Sequence, residues 1–204
     1  MKAAAPIEPQ APRFEEPATH TELPLELSDA RLVDATKASD VLVARGLRLV
    51  DVEALRGNLA NLAADELALR RVVFSGTRLT GAQWTRGTLT DVVFRDCRID
   101  LATFGGTTLE RVAFEDCLLM QTDFRDALWR GVRFERCDLT EGDFGGLRIA
   151  QAQLRGCTLD GAVGVERLRG AAMPWGDIVG HAGLFAGALG IKPLDEEAAD
   201  RGRR

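Results

Sequence analysis

A chain of 204 residues, 46% of them hydrophobic, carries enough apolar material for one continuous core with tails. Its net charge of −5 excludes the clustered basic surface that phosphate binding needs, so no direct nucleic-acid binding is expected. No apolar run approaches the ~18 residues of a membrane-spanning helix, so no membrane partner is expected either.

Residues 1–24 hold five of the seven prolines (Pro6, Pro9, Pro12, Pro17 and Pro24) among Ala and Glu, the composition of a disordered or extended tail. The start, Met1-Lys2-Ala3-Ala4-Ala5-Pro6, has no apolar secretory core. The four cysteines form no C-x-x-C pair, and the two signs together predict a reduced, cytoplasmic setting. Residues 25–43 lack the periodicity that follows, yet Leu25, Leu27, Leu32 and Val41 suit an N-terminal cap over an exposed first coil.

From residue 44 to 162 the chain has a period of five. Large apolar residues stand at Leu69, Phe74, Leu79, Trp84, Leu89, Phe94, Ile99, Phe104, Leu109 and Phe114, and continue through Leu119, Phe124, Trp129, Phe134, Leu139, Phe144, Ile149, Leu154 and Leu159. Ala44, Leu49, Ala54, Leu59 and Ala64 extend the register backwards, giving 24 repeats. Two residues before each large residue stands a small or apolar one, such as Val72, Ala82 or Cys97. A helix needs apolar spacings of three and four, and a lone amphipathic strand needs strict alternation; neither yields five. Two inward residues followed by a corner does.

A second period, of twenty, counts the faces of one coil. Cys97, Cys117, Cys137 and Cys157 recur at twenty, as do Val72, Val92, Val112 and Val132, and Phe74, Phe94, Phe114 and Phe134. Four faces of five residues therefore close one coil, and 24 repeats make six coils. Opposite charges share the interval in Arg71/Asp91/Arg111, Glu110/Arg130, Arg95/Glu115, Asp116/Arg136 and Glu135/Arg155, ladders that relieve like-charge repulsion between rungs ~4.8 Å apart.

After Leu159 the register fails at Gly164, and a helix is predicted from about Pro174 to Ile191 within a C-terminal segment 163–191, with 192–204 a polar tail. Trp175, Ile178, Ala182, Phe185 and Leu189 share one helix face, beside a stripe of Gly176, Gly180, Gly183 and Gly187. Two roles remain open for this helix: a cap on the last coil, or a homodimer contact.

The units V-x-F-x-x-C-x-L and A-x-F-x-x-x-x-L within residues 44–162 resemble the pentapeptide-repeat family. The resemblance implies an all-β fold, a right-handed quadrilateral β-helix, and a non-catalytic role through a protein partner. The scarcity of lysine, with only Lys2, Lys37 and Lys192 among 26 basic residues, suggests a GC-rich coding sequence and an actinobacterial member. Quinolone-resistance relatives are dimeric rods that imitate duplex DNA and bind type II topoisomerases, so the resemblance also implies DNA gyrase as a partner and C-terminal elements that join two rods. A scaffold or adaptor for another protein, without DNA mimicry, is the alternative.

Mimicry needs outward acidity. Residues 66–160 carry 13 arginines against 14 acids, a nearly balanced coil, whereas residues 115–143 hold eight acids and four arginines. Glu115, Asp116, Asp123, Asp126, Glu135, Asp138, Glu141 and Asp143 are therefore the candidate partner surface. No catalytic set, cofactor site or metal site is expected. His20 and His181 stand apart from any organised nucleophile or carboxylate, and stacked cysteines point the same way instead of converging on an ion.

Overall fold

The computed structural model describes residues 8–13, 18–23, 26–37 and 44–192. Parallel rungs stack into a β-solenoid. Strands β1 (Ala18–Leu23), β2 (Glu26–Lys37), β4 (Arg48–Leu55), β6 (Ala68–Ser75), β8 (Thr88–Arg95), β9 (Thr108–Glu115), β10 (Leu128–Glu135) and β11 (Arg148–Arg155) form an eight-stranded sheet in that order. Strands β3 (Ala44–Arg45), β5 (Ala63–Asp65) and β7 (Gln83–Thr85) form a second sheet, carried on by single bridges from Gln83 through Thr103, Asp123 and Asp143 to Val163. From β4 to β10 the Cα register steps by twenty, as in Val72↔Val92 and Phe94↔Phe114, which is the predicted coil length.

The corner has a fixed conformation. One residue in five has a left-handed backbone, including Asp51 (φ 55), Arg71 (φ 52), Asp91 (φ 57), Leu101 (φ 59) and Gly131 (φ 78). L side chains resist this region by roughly 1–2 kcal/mol, so the packed faces on either side must hold each corner in place. Gln151 is absent from this set, and there the register of β10 and β11 slips so that Arg130 faces Gln151.

Inside, the two Phe and Trp columns occupy opposite faces. Phe94, Phe114 and Phe134 stack face to face at 4.8 and 4.7 Å, and Phe104 stacks on Phe124 at 5.3 Å. Rings of one column meet those of the other edge-on, as in Phe104 and Phe114 at 82°, the arrangement that the aromatic quadrupole favours. Leu and Ile fill the other two faces except at Trp129, which stands in the column of Leu109 and meets Phe124 and Phe144 edge-on, so bulky rings never crowd one layer from four sides. The cysteine column is internal. All four thiols are buried, and Cys117 and Cys137 donate to the carbonyls of Phe94 and Phe114 at 3.4 Å. The thiols of Cys117 and Cys137 are each pushed up to about 12: at Cys117 the lowering effect of the neighbouring Cys137 thiol is outweighed by that of Cys97 and by burial, and at Cys137 the neighbouring Cys117 thiol and burial act together.

Both ends depart from the expected pattern. Residues 8–13 and β1 belong to the stretch expected as a tail, yet β1 pairs with β2, and residues 8–13 bond to the rod. Within the expected cap, β2 is itself a rung: Leu27 faces Leu49 and Leu32 faces Ala54, an offset of 22 that hides the register from a five-residue count. The apolar positions Ala30, Leu32 and Ala35 are buried there as in any other coil. Val41, Pro24 and Leu25, like the polar tail beyond Lys192, lie outside the described residues. The single C-terminal helix is two, α1 (Trp175–Gly180) and α2 (Ala182–Ala188), after a 3₁₀ turn at Val165–Leu168. Among the described residues no helix is long and apolar enough to cross a membrane.

Because Phe114 is fully buried between two stacked rings, Phe114→Ala should lower unfolding free energy by about 3–5 kcal/mol. Leu101→Ala, at a 59% exposed corner, should shift it by under about 0.5 kcal/mol. Urea titration followed by circular dichroism measures both.

Candidate interaction surface

The eight acids of residues 115–143 do not form one strip. Glu115 and Glu135 lie on the face of β9 and β10, Asp138 lies on the next face, and Asp123 and Asp143 lie on the face after that. Asp116, Asp126 and Glu141 occupy left-handed corners between faces. The set therefore wraps around the rod.

Arginines also meet most of these acids. Glu115 accepts from Arg95 at 2.9 Å and from Arg133 at 2.7 Å. Arg136 clamps Asp116 through Nε and Nη2 at 2.6 and 2.8 Å and reaches Glu135 with Nη1. Arg125 binds Asp123 at 2.7 Å and lies 3.5 Å from Asp143. Asp123 and Asp143, which stand one rung apart, are thus bridged by a cation. Glu141 accepts from Gln121 at 2.6 Å, and Asp138 caps its own turn through Thr140 N–H at 3.0 Å. The Asp116 carboxyl lies below its ordinary range because Arg136 donates to it. Asp123 is lowered as well: burial pushes it up, and the hydrogen bonds from Arg125 overcome that. Two predicted ladders are rearranged, since Glu110 bonds to Arg111 and Glu135 to Arg136, their sequence neighbours, in place of Arg130 and Arg155. The slipped register at Gln151 shifts the last rung beside the first of these.

A different column holds the most buried charges. Asp51, Arg71, Asp91 and Arg111 alternate at one corner, rung over rung, and Asp51 and Asp91 are only 6% and 4% exposed. Arg71 donates to Asp51 at 2.6 Å, and Arg111 donates to Asp91 at 2.7 and 3.0 Å. Backbone N–H groups complete the shells, Arg13 N–H to Asp51 at 3.0 Å and Gln10 N–H to Asp91 at 3.2 Å. Without such partners a carboxylate this buried would be strongly destabilising.

At the C-terminal end, Asp177 Oδ2 accepts from Gly156 N–H at 2.6 Å and His181 Nε2 meets Cys157 C=O at 2.9 Å. In earlier rungs the equivalent groups bond to the next coil, as Arg136 N–H does to Arg155 and Cys137 C=O does to Thr158. Two side chains therefore replace the missing rung, and His181 breaks the helix to do so, at φ −103 and ψ 14. As the carbonyl can only accept, Nε2 carries the proton. Of the five residues expected on one helix face, Ile178 and Phe185 are half-buried, while Trp175, Ala182 and Leu189 are exposed. A groove of about 380 Å³ opens between this helix pair and the 3₁₀ turn, lined by Val165, Leu168, Met173, Ile178, Phe185 and Leu189 among others. A Cβ built on Gly176, Gly180, Gly183 or Gly187 meets nothing within 4 Å, so the glycine stripe packs on no part of the described chain. Among the described residues no group of His, Cys, Asp or Glu is arranged to hold a metal ion.

Residues 67–144 match the family model of the pentapeptide repeat region. The same parallel rungs continue on both sides of that stretch, from β2 to β11, so the β-solenoid extends beyond the matched residues. No curated protein matches the chain. Among solved structures it is similar to HetL, a pentapeptide repeat protein involved in heterocyst differentiation regulation from the cyanobacterium Nostoc sp. strain PCC 7120. That match has 18% identity and a TM-score of 0.48, over 76% of this chain and 81% of that one. It is also similar to QnrB1, a plasmid-mediated fluoroquinolone resistance protein, with 16% identity and a TM-score of 0.37 over 83% of this chain and 90% of that one. Rfr23 from the cyanobacterium Cyanothece 51142 matches at 15% identity and a TM-score of 0.23, over 71% of this chain and 88% of that one.

Asp51 and Asp91 lie below the ordinary carboxylate value of 3.8, Asp51 through Arg71 and Asp91 through Arg111 and Gln10 acting against burial. A depressed folded value means stability that is complete above the unfolded value and is lost as pH falls below about 4. Asp51→Asn/Asp91→Asn should therefore be less stable than wild type at pH 7, with the gap closing below about pH 4. Urea midpoints taken across that range measure it.

Proposed function

We propose that this chain is a non-catalytic protein-binding rod, a scaffold or adaptor whose contact is made by shape, paired charge and an apolar end, not by imitation of nucleic acid. The observation that carries this reading is the neutralisation of the acidic set by Arg95, Arg125, Arg133 and Arg136. Duplex DNA offers a basic groove same-sign charges at every ~1.7 Å of its axis, and a partner built for it would meet a guanidinium beside most of these carboxylates.

The gyrase reading draws on the eight acids, of which Asp126, Asp138 and Glu141 carry no arginine bond among the described residues. Three such sites on different faces and corners do not track a groove. Supercoiling by purified DNA gyrase is the direct test: up to tenfold molar excess of this protein should leave the rate unchanged, with no protection from a quinolone. Inhibition in that range, lost in a variant with Asp126, Asp138 and Glu141 all changed to Asn, would reverse the assignment in favour of mimicry.

The apolar end is the second part of the proposal. Trp175, Val179, Leu189 and Ile191 are between 57% and 76% exposed. The two helices carry one acid, Asp177, already bonded to Gly156, and no Lys or Arg, so two copies could meet end to end without like-charge repulsion. A second copy of this chain is the occupant we assign. Light scattering after size exclusion should give twice the 22.1 kDa chain mass, and Trp175→Glu/Leu189→Glu should give one chain mass with an unchanged circular dichroism spectrum. A wild-type monomer at ~100 μM rules the dimer out.

A further inference from the structure

Three outward-facing residues of one face are buried. Val73, Val93 and Ala113 stand between inward neighbours on β6, β8 and β9, and are 9%, 6% and 0% exposed, in a cluster of their own apart from the core. Successive rungs cannot hide the outer surface of a solenoid face, so something lies over it. The bonds of residues 8–13 identify the cover: Glu8 pairs with Arg133 at 2.8 Å, Gln10 N–H meets Asp91, and Arg13 N–H meets Asp51. This segment runs along the rod across its rungs, from β10 past β8 to β4.

Its fit has a geometric cause. A polyproline II chain rises ~3.1 Å per residue with three residues per turn, so equivalent N–H groups recur every ~9.3 Å. Rungs lie ~4.8 Å apart, and in the column Asp51, Arg71, Asp91, Arg111 the carboxylates come on alternate rungs, every ~9.6 Å. Gln10 and Arg13 are three residues apart, as are Pro9 and Pro12, whose rings hold the backbone extended. One turn of the segment thus spans two rungs, and its donors meet carboxylates and never the arginines between them.

We propose that this face is a receptor groove for an extended, proline-bearing peptide, and that residues 8–13 are its resident ligand, bound in cis. The groove reads main-chain N–H groups at a three-residue interval through Asp51 and Asp91, an apolar edge through Val73, Val93 and Ala113, and an acidic residue at one end through Arg133. A partner segment with an acid followed by prolines three apart carries the same features and competes for the same face.

Gln10→Pro/Arg13→Pro in the full chain tests this, because proline keeps the extended backbone, deletes both N–H donors and leaves the groove untouched. A fluorescein-labelled peptide of residues 8–13 should bind this variant saturably by anisotropy, at least tenfold more tightly than it binds wild type, whose groove is filled. Adding Ala113→Asp to the double variant should abolish that binding. In the wild-type chain, hydrogen exchange at the Gln10 and Arg13 amides should be at least tenfold slower than in the free peptide. Free-peptide exchange rates in wild type, no binding to the double variant, or equal binding to both proteins would each overturn the proposal. Protection that vanishes on dilution to monomer would place the segment on a second copy and overturn the cis assignment.

Discussion

The structure depends on one repeated constraint, a left-handed corner every fifth residue that lets each rung hydrogen-bond to the rung twenty residues away. At a corner the chain turns a face without losing its strand direction, so β4, β6, β8, β9 and β10 each run through two faces around Asp51, Arg71, Asp91, Arg111 or Gly131. The penalty for non-glycine residues there is met collectively. Each corner is bracketed by buried side chains, such as Leu89 and Val92 around Asp91, whose removal from water outweighs a local backbone cost of roughly 1–2 kcal/mol. The same geometry aligns like residues in columns, which is why seven phenylalanines and Trp84 stack in two files and four thiols in another.

A structure held by bonds between rungs has two open edges, and the sequence departs from its period where those edges are closed. At the start, β2 inserts two residues before the first regular rung and is itself covered by β1. At the end, Ala172 makes one more backbone pair with the face of β11, after which side chains take over: Asp177 for a lost carbonyl and His181 for a lost N–H. Both substitutions satisfy groups that would otherwise offer an unpaired edge to another chain. They also explain why the helix pair is short and kinked, since its position is set by two polar contacts as well as by the packing of Leu184 and Phe185 on the core.

Legibility follows from periodicity. The columns at five and twenty were open to reading because each rung repeats the same demand, so Phe94, Phe114 and Phe134, or Cys97 to Cys157, report one environment several times. Positions used once carry no such redundancy. His181 and Asp177 look like any polar pair on a helix, and the offset of 22 between β2 and β4 breaks the count on which the other rungs were found. Net charge misled for a related reason. Eight acids against four arginines describes residues 115–143 in sequence, but Arg95 enters from the coil below and Arg125 reaches two acids at once. The segment at residues 8–13 left only the spacing of Pro9 and Pro12 as a trace, and that spacing has meaning only beside the two-rung interval of the carboxylates.

The alternating corner column links these observations. Had all four of its positions been acidic, adjacent carboxylates ~4.8 Å apart would have repelled one another, and the face would have approached the charge pattern of a phosphate backbone. Arg71 and Arg111 between the acids instead neutralise the column, and they also double the repeat of its acceptors from one rung to two. That doubling matches the rod to the pitch of an extended proline-bearing chain. A surface poorly suited to imitating nucleic acid is, by the same substitution, suited to holding a peptide, and the apolar stripe of Val73, Val93 and Ala113 beside it supplies burial that hydrogen bonds to a carboxylate alone would lack.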